Sequence, residues 1–135
     1  DMIVHHAQAV EMSALVKDRT NRKEIIEAAG RITASQDDEM KFMRGWLAER
    51  GQPEKPAASG HDHGDHGMMG MATPEQMKEL SGAKAAAFDR LFLTLMTKHH
   101  DGALKMVDRL FEQPGAAYDP VLFEFINDVK TDQTA

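Results

Sequence analysis

Cysteine is absent from the 135 residues, so neither a disulfide nor a thiolate metal site can form. That absence leaves the compartment open, because imidazole and thioether groups can hold soft ions even where thiols would be oxidised. Long apolar runs are missing as well. None approaches the roughly 20 residues that a membrane-spanning helix needs, and no signal peptide stands at the start. A basic stripe is missing too. The formal net charge is −6, with 16 Lys and Arg scattered among 22 Asp and Glu, which argues against a nucleic-acid surface. No segment alternates apolar and polar residues as a half-buried strand would, so the chain reads as all-α.

What is present is a polar pattern used twice. The stretch Met2-Ile3-Val4-His5-His6, continuing through Ala9 to Met12, recurs as Met96-Thr97-Lys98-His99-His100, continuing through Ala103 to Met106. Every matched position is offset by 94 residues. A helix from about Met2 to about Lys17 carries the first copy. A second helix is expected after a capping box of Asn21 and Glu24, with Ile25, Ile26, Ala29, Ile32, Gln36, Met40, Met43 and Leu47 on its apolar face, and Gly51 and Pro53 at its end. Thr73-Pro74-Glu75-Gln76 restarts a helix, with a break or kink at Ser81-Gly82. A long helix from about Ala83 to about Glu112 carries the second copy, and Asp119-Pro120 opens the last one.

Ile25, Ile32 and Gln36 are echoed by Leu122, Val129 and Gln133 at an offset of 97 residues. The whole chain is therefore expected to form one four-helix bundle from two repeated hairpins. These are residues 1–51 and 74–135, joined by a long loop at 52–73. Asp1 opens inside the first copy, without the Phe88–Leu95 lead-in of the second, so residues upstream are expected to be missing. The last helix is expected to be cut short soon after Gln133.

At about 100° per residue, Met96, His99, His100, Ala103 and Val107 share one stripe, with Met106 on its flank. Met2, His5, His6, Ala9, Met12 and Val16 do the same on the first helix. Two readings of these inward histidines stand side by side. They can be core groups satisfied by hydrogen bonds, with methionine as gap filler. Alternatively, an ion bound among them satisfies several neutral imidazoles at once. Gln36 and Gln133 fit either reading, as hydrogen-bond partners of a buried group or as orienters of a ligating histidine. Met40 and Met43 read as core fillers, with a role as further thioether ligands as the alternative.

The connecting loop has its own chemistry. His61, His63, His66, Met68, Met69 and Met71 fall within eleven residues, interleaved with glycine and aspartate. Such a tract reads as metal binding, with a soluble linker of chance composition as the alternative. Imidazole suits Cu(II) and thioether selects Cu(I), so the combination points to copper, whereas zinc has little use for methionine.

The paired Met-x-x-His-His motifs, the run AFDRLFLTLMTKHHDGALKM and the run QDDEMKFMRGWL resemble the bacterial domain-of-unknown-function 305 family. Gln36, Glu39, Met43, Trp46 and Leu47 match that family's Gln-x-x-Glu-x-x-x-Met-x-x-Trp-Leu stretch. The resemblance implies a ferritin-like helical bundle, secreted or periplasmic, with some members linked to copper binding and resistance.

The reading adopted is a copper-binding or copper-sequestering protein of the cell envelope. Its candidate ligands are His5, His6, His99, His100, Met2, Met12, Met96 and Met106 in the bundle, with His61, His63, His66, Met68, Met69 and Met71 in the loop. An enzyme is disfavoured: none of the seven histidines follows a Glu by three residues, as a carboxylate di-iron site requires, and no nucleophile motif is present. Two alternatives remain. One is a structural or interaction bundle with a metal-free histidine core that dimerises through a Met-rich face. The other is a small metal-dependent oxidoreductase. A copper-delivery partner is expected only under the copper reading.

Overall fold

The computed structural model describes residues 1–54, 69–115 and 119–134. Among the described residues five α-helices are present: α1 (Met2–Ala14), α2 (Lys23–Glu49), α3 (Pro74–Gly82), α4 (Ala85–Glu112) and α5 (Pro120–Thr134), with a short 3-10 turn at Val16–Asp18 after α1. No strand occurs among the described residues. No described helix is long and apolar enough to cross a membrane. The all-α expectation holds, and α1, α2, α4 and α5 are the four expected helices. The restart at Thr73 forms a separate short helix, because the chain turns extended at Ala83 and Lys84.

Local chemistry accounts for most boundaries. At α3 both halves of the capping box form: Gln76 N–H donates to Thr73 Oγ1 at 3.1 Å and Thr73 N–H donates to Gln76 Oε1 at 2.9 Å. The α5 start is capped by Asp119, whose Oδ1 accepts from Val121 N–H at 3.0 Å and Leu122 N–H at 3.2 Å. Gly51 ends α2 with a φ of +62°, a region that costs glycine nothing.

Three expectations need correction. Helix α1 stops at Ala14 rather than near Lys17, because the chain tightens into the 3-10 turn. The Asn21–Glu24 capping box does not form. Arg22 takes the cap position without a side-chain bond, and its N–H is satisfied by Thr20 Oγ1 at 3.1 Å. Ile26 is exposed, since the buried face of α2 follows Ile25, Ala29, Gln36 and Met40.

Helix α1 packs along α2, α4 packs along α5, and α1 lies against α4. The main apolar cluster joins Ala9, Met12 and Val16 of α1 to Ile25 and Ala29 of α2 and to Phe88, Phe92, Leu95 and Met96 of α4. Burying a phenylalanine such as Phe88 is worth about 3 kcal/mol at most. A smaller cluster of Val107, Ile126 and Val129 joins α4 to α5, with Met2 packed against it. Phe42 of α2 stacks on Phe125 of α5 with ring centroids 4.0 Å apart, and Arg50 Nη2 meets Asp119 Oδ2 at 3.0 Å. These contacts tie the second hairpin to the first. Ala9 and Ala103 are both completely buried, and their small side chains let α1 and α4 approach where the histidines lie.

Candidate metal centre

Both His-His pairs point into the bundle, as the helical arithmetic requires. His5, His6 and His99 have no solvent exposure, and His100 is partly buried. The copies meet across the α1–α4 contact: the His5 and His99 rings have centroids 3.7 Å apart and are tilted by 33°. His99 and His100 rings lie 6.2 Å apart, nearly edge to face.

The four imidazoles are unequally satisfied. His5 Nε2 donates to the Met69 carbonyl at 2.7 Å. His6 Nε2 contacts Glu39 Oε2. Among the described residues neither nitrogen of His99 has a hydrogen-bond partner of normal geometry, nor do His5 Nδ1, His6 Nδ1 or His100 Nε2. The Met2 carbonyl lies near His6, and the His5 carbonyl near His99, and each raises the ring's pKa against the larger lowering by burial. Orphaned buried nitrogens are costly and rare in folded proteins.

Burial keeps these rings neutral. Desolvation lowers the pKa of His5 and of His6 to about 4 and that of His99 to about 3, with neighbouring imidazoles adding to the shift at His5 and His99. His100 is lowered by the same burial and by His6. Near pH 7 each ring is therefore neutral and carries one unprotonated nitrogen, the form that ligates metals. Glu39 moves the other way. Burial, then Asp132 and Asp128 of α5, push its carboxyl up to about 8, so it holds a proton near pH 7.

The methionines divide. Met12 and Met96 sit inside the main apolar cluster. Met2 packs on the smaller one, and Met106 is half-buried on α4. Met40 is buried, as expected of a core filler, and Met43 is half-buried. Gln36 and Gln133 are buried, each with one amide atom unpartnered. A cavity of about 370 Å³ between α2 and α4 is lined by Gln36, Met96 and His100 among others. Among the described residues no three His, Asp or Glu side chains already converge on one ion position.

Of the loop ligands, His61, His63, His66 and Met68 lie outside the described residues. Met69 and Met71 are described. They belong to a segment, Met69–Ala72, that is laid across α1 and α4 at the level of the histidines. Gln8 holds it with two bonds: its Nε2 donates to the Ala72 carbonyl at 2.9 Å, and its Oε1 accepts from Ala72 N–H at 2.8 Å.

Reasoning from sequence did not single out Gln8, Gly70 or Gly102, and noted Glu39 only through the family motif. Glu39 had a signal in its spacing, since Gln36 and Glu39 share a face of α2. Gln8 and Gly102 had another: they stand at matched positions of the two copies, 94 residues apart.

The family profile described as "Domain of unknown function (DUF305)" matches residues 1–135. Among solved structures, a DUF305 protein from Streptomyces coelicolor is 33% identical with a TM-score of 0.86, over 99% of this chain and 81% of that one. A DUF305 fragment from Deinococcus radiodurans is 30% identical with a TM-score of 0.80, over 98% of this chain and 83% of that one. CopM is also similar: its Cu(II)-bound form is 25% identical with a TM-score of 0.73, over 98% of this chain and 83% of that one. Its Cu(I)-bound form is 23% identical with a TM-score of 0.74, over 98% of this chain and 82% of that one, and shares the fold. No curated protein matches the sequence. Matched along its whole length by the profile, and by the Streptomyces coelicolor protein over nearly all of it, the chain belongs to the DUF305 family.

Proposed function

We propose that this protein binds copper through the buried imidazoles of His5, His6, His99 and His100, completed by thioethers of the same motifs. The observation that carries the reading is His99. It is fully buried, neither of its ring nitrogens has a hydrogen-bond partner of normal geometry among the described residues, and its ring lies 3.7 Å from that of His5. A core that leaves an imidazole unsatisfied gives up stability, of the order of 1–3 kcal/mol. A bound ion would recover it. CopM, a relative in fold, has been solved with Cu(I) and with Cu(II), which supports copper as the ion. Because no three His, Asp or Glu side chains already converge among the described residues, binding entails ring rotation or the recruitment of a methionine such as Met96 or Met106.

The composition of the 61–71 tract supports a capture role for His61, His63, His66, Met68, Met69 and Met71. The protein would sit in the cell envelope or outside the cell, in line with the Streptomyces coelicolor relative, which is provisionally designated a secreted protein. Binding, rather than catalysis, is the activity proposed. A partner that receives copper would follow from that role.

One observation favours the rival reading of a metal-free structural bundle, namely that no ligand triad is preformed among the described residues. An anaerobic titration of metal-free protein with Cu(I) against a competing chelator, with elemental analysis for stoichiometry, separates the two. Tight uptake that is lost in the double variant His99→Ala, His100→Ala supports the copper centre. Unchanged affinity in that variant removes the bundle site, and no uptake by the wild type leaves the structural bundle.

A further inference from the structure

The Met69–Ala72 segment is held in three ways: by Gln8, by the close approach of Gly70 and Gly102, and by His5. Gln8 clamps both backbone groups of Ala72. Gly70, at φ +75°, lies directly on the backbone of α4, where a Cβ would overlap the Lys98 carbonyl. Gly102 accepts the segment from below, and a Cβ there would overlap the Met69 carbonyl. The third hold is on the metal centre itself, where His5 Nε2 meets the Met69 carbonyl at 2.7 Å.

A carbonyl oxygen can only accept. The proton of neutral His5 must therefore be on Nε2, and Nδ1 is left as a bare lone pair, buried and without a partner among the described residues. A ring that donates one nitrogen to a backbone carbonyl and offers the other inward is arranged as metal-ligating histidines are. The tandem repeat makes this asymmetric. Residues 8 and 102 are matched positions, as are His5 and His99. A long amide at one and no side chain at the other let a single strap cross between the copies. His5 gains a partner from it, and His99 does not.

We propose that the Met69–Ala72 strap is a positioning element for His5, fixing the Nε2–H tautomer so that Nδ1 is the nitrogen presented to a copper ion beside His99, with Gln8 and Gly102 as the positioning residues. The ligand role of Nδ1 rests on the copper reading; the tautomer does not, and can be read without metal.

The test uses the whole chain, labelled with nitrogen-15, metal-free and then loaded with Cu(I). Long-range proton–nitrogen correlation spectra should place the His5 proton on Nε2 in the wild type. Gln8→Ala loosens the strap from one side. Gly102→Ala displaces it from the other while leaving α4 a better helix former at that position. Both variants should turn His5 into a mixture of tautomers. Both should keep the Cu(I) stoichiometry and lose about tenfold in affinity, the usual effect of removing a ligand's orienting partner. On Cu(I) loading of the wild type, the Nδ1 resonance should move more than Nε2. A His5 proton found on Nδ1, or a tautomer and affinity unchanged in both variants, overturns the strap's role. A wild type that fixes the tautomer yet takes up no Cu(I) instead refutes the copper reading, and with it the ligand role of Nδ1.

Discussion

Acidification should weaken the metal-free fold, and the pKa shifts set the size of the effect. Burial lowers His5, His6 and His99 from 6.5 in the unfolded chain to about 4, about 4 and about 3. Between those values and 6.5 the unfolded chain binds protons that the folded one refuses. The stabilisation is complete above pH 6.5 and is lost as the pH falls toward the folded pKa values. Each ring costs about 1.4 kcal/mol per pH unit inside that window. Going from pH 7 to pH 5, three rings remove roughly 6 kcal/mol.

Glu39 works in the opposite direction. Its carboxyl is raised from 4.5 to about 8, so its contribution is complete below pH 4.5 and is lost as the pH rises through 8. Discounted for the solvent that reaches Asp132 and Asp128, it returns roughly 2 kcal/mol over the same interval. A net loss of about 4 kcal/mol remains, a large share of the 5–15 kcal/mol typical of a domain. Urea unfolding of chelator-treated protein at several pH values, followed by circular dichroism, measures it. The slope near pH 5.5 should correspond to the uptake of about two protons on unfolding. Stability that is flat or rising from pH 7 to pH 5 would refute the assignment of three buried neutral imidazoles.

Other outcomes follow from single side chains. His99→Leu removes two unsatisfied nitrogens from a fully buried position, so metal-free protein should gain about 1 kcal/mol in urea unfolding, while Cu(I) binding to the bundle weakens. Glu39→Gln should abolish the loss of stability between pH 7 and pH 9, above the histidine window, because the raised carboxyl that causes it is gone; a decline as steep as in wild type would place that loss elsewhere. Thr73→Ala breaks a complete capping box and should cost about 1 kcal/mol, with faster amide exchange confined to the first turn of α3. Phe88→Ala should cost about 3–5 kcal/mol by opening the main apolar cluster, read as a fall in the thermal midpoint.

Local chemistry was enough to specify the helices and most of their ends. Thr73, Asp119 and Gly51 act through bonds or dihedrals within a few residues, and such interactions are written in adjacent letters. The inward direction of His5, His6, His99 and His100 was equally legible, because helical geometry alone turns residues of the same stripe toward the same side. Where local rules competed, the packing chose. Asn21 could have capped α2, but Thr20 satisfied the Arg22 amide instead, and Ile26 was left in solvent because α2 has only one buried face.

The tertiary structure alone decided which imidazoles meet and which are satisfied. A spacing of 94 residues shows that two motifs correspond, but not that His5 lies against His99, that Glu39 reaches His6 from another helix, or that Met69 lends its carbonyl to one histidine of the pair and not to its counterpart. Those are distances between elements far apart along the chain. They are set by how closely Ala9 and Ala103 let α1 approach α4, and by a strap that fits only where residue 102 has no side chain.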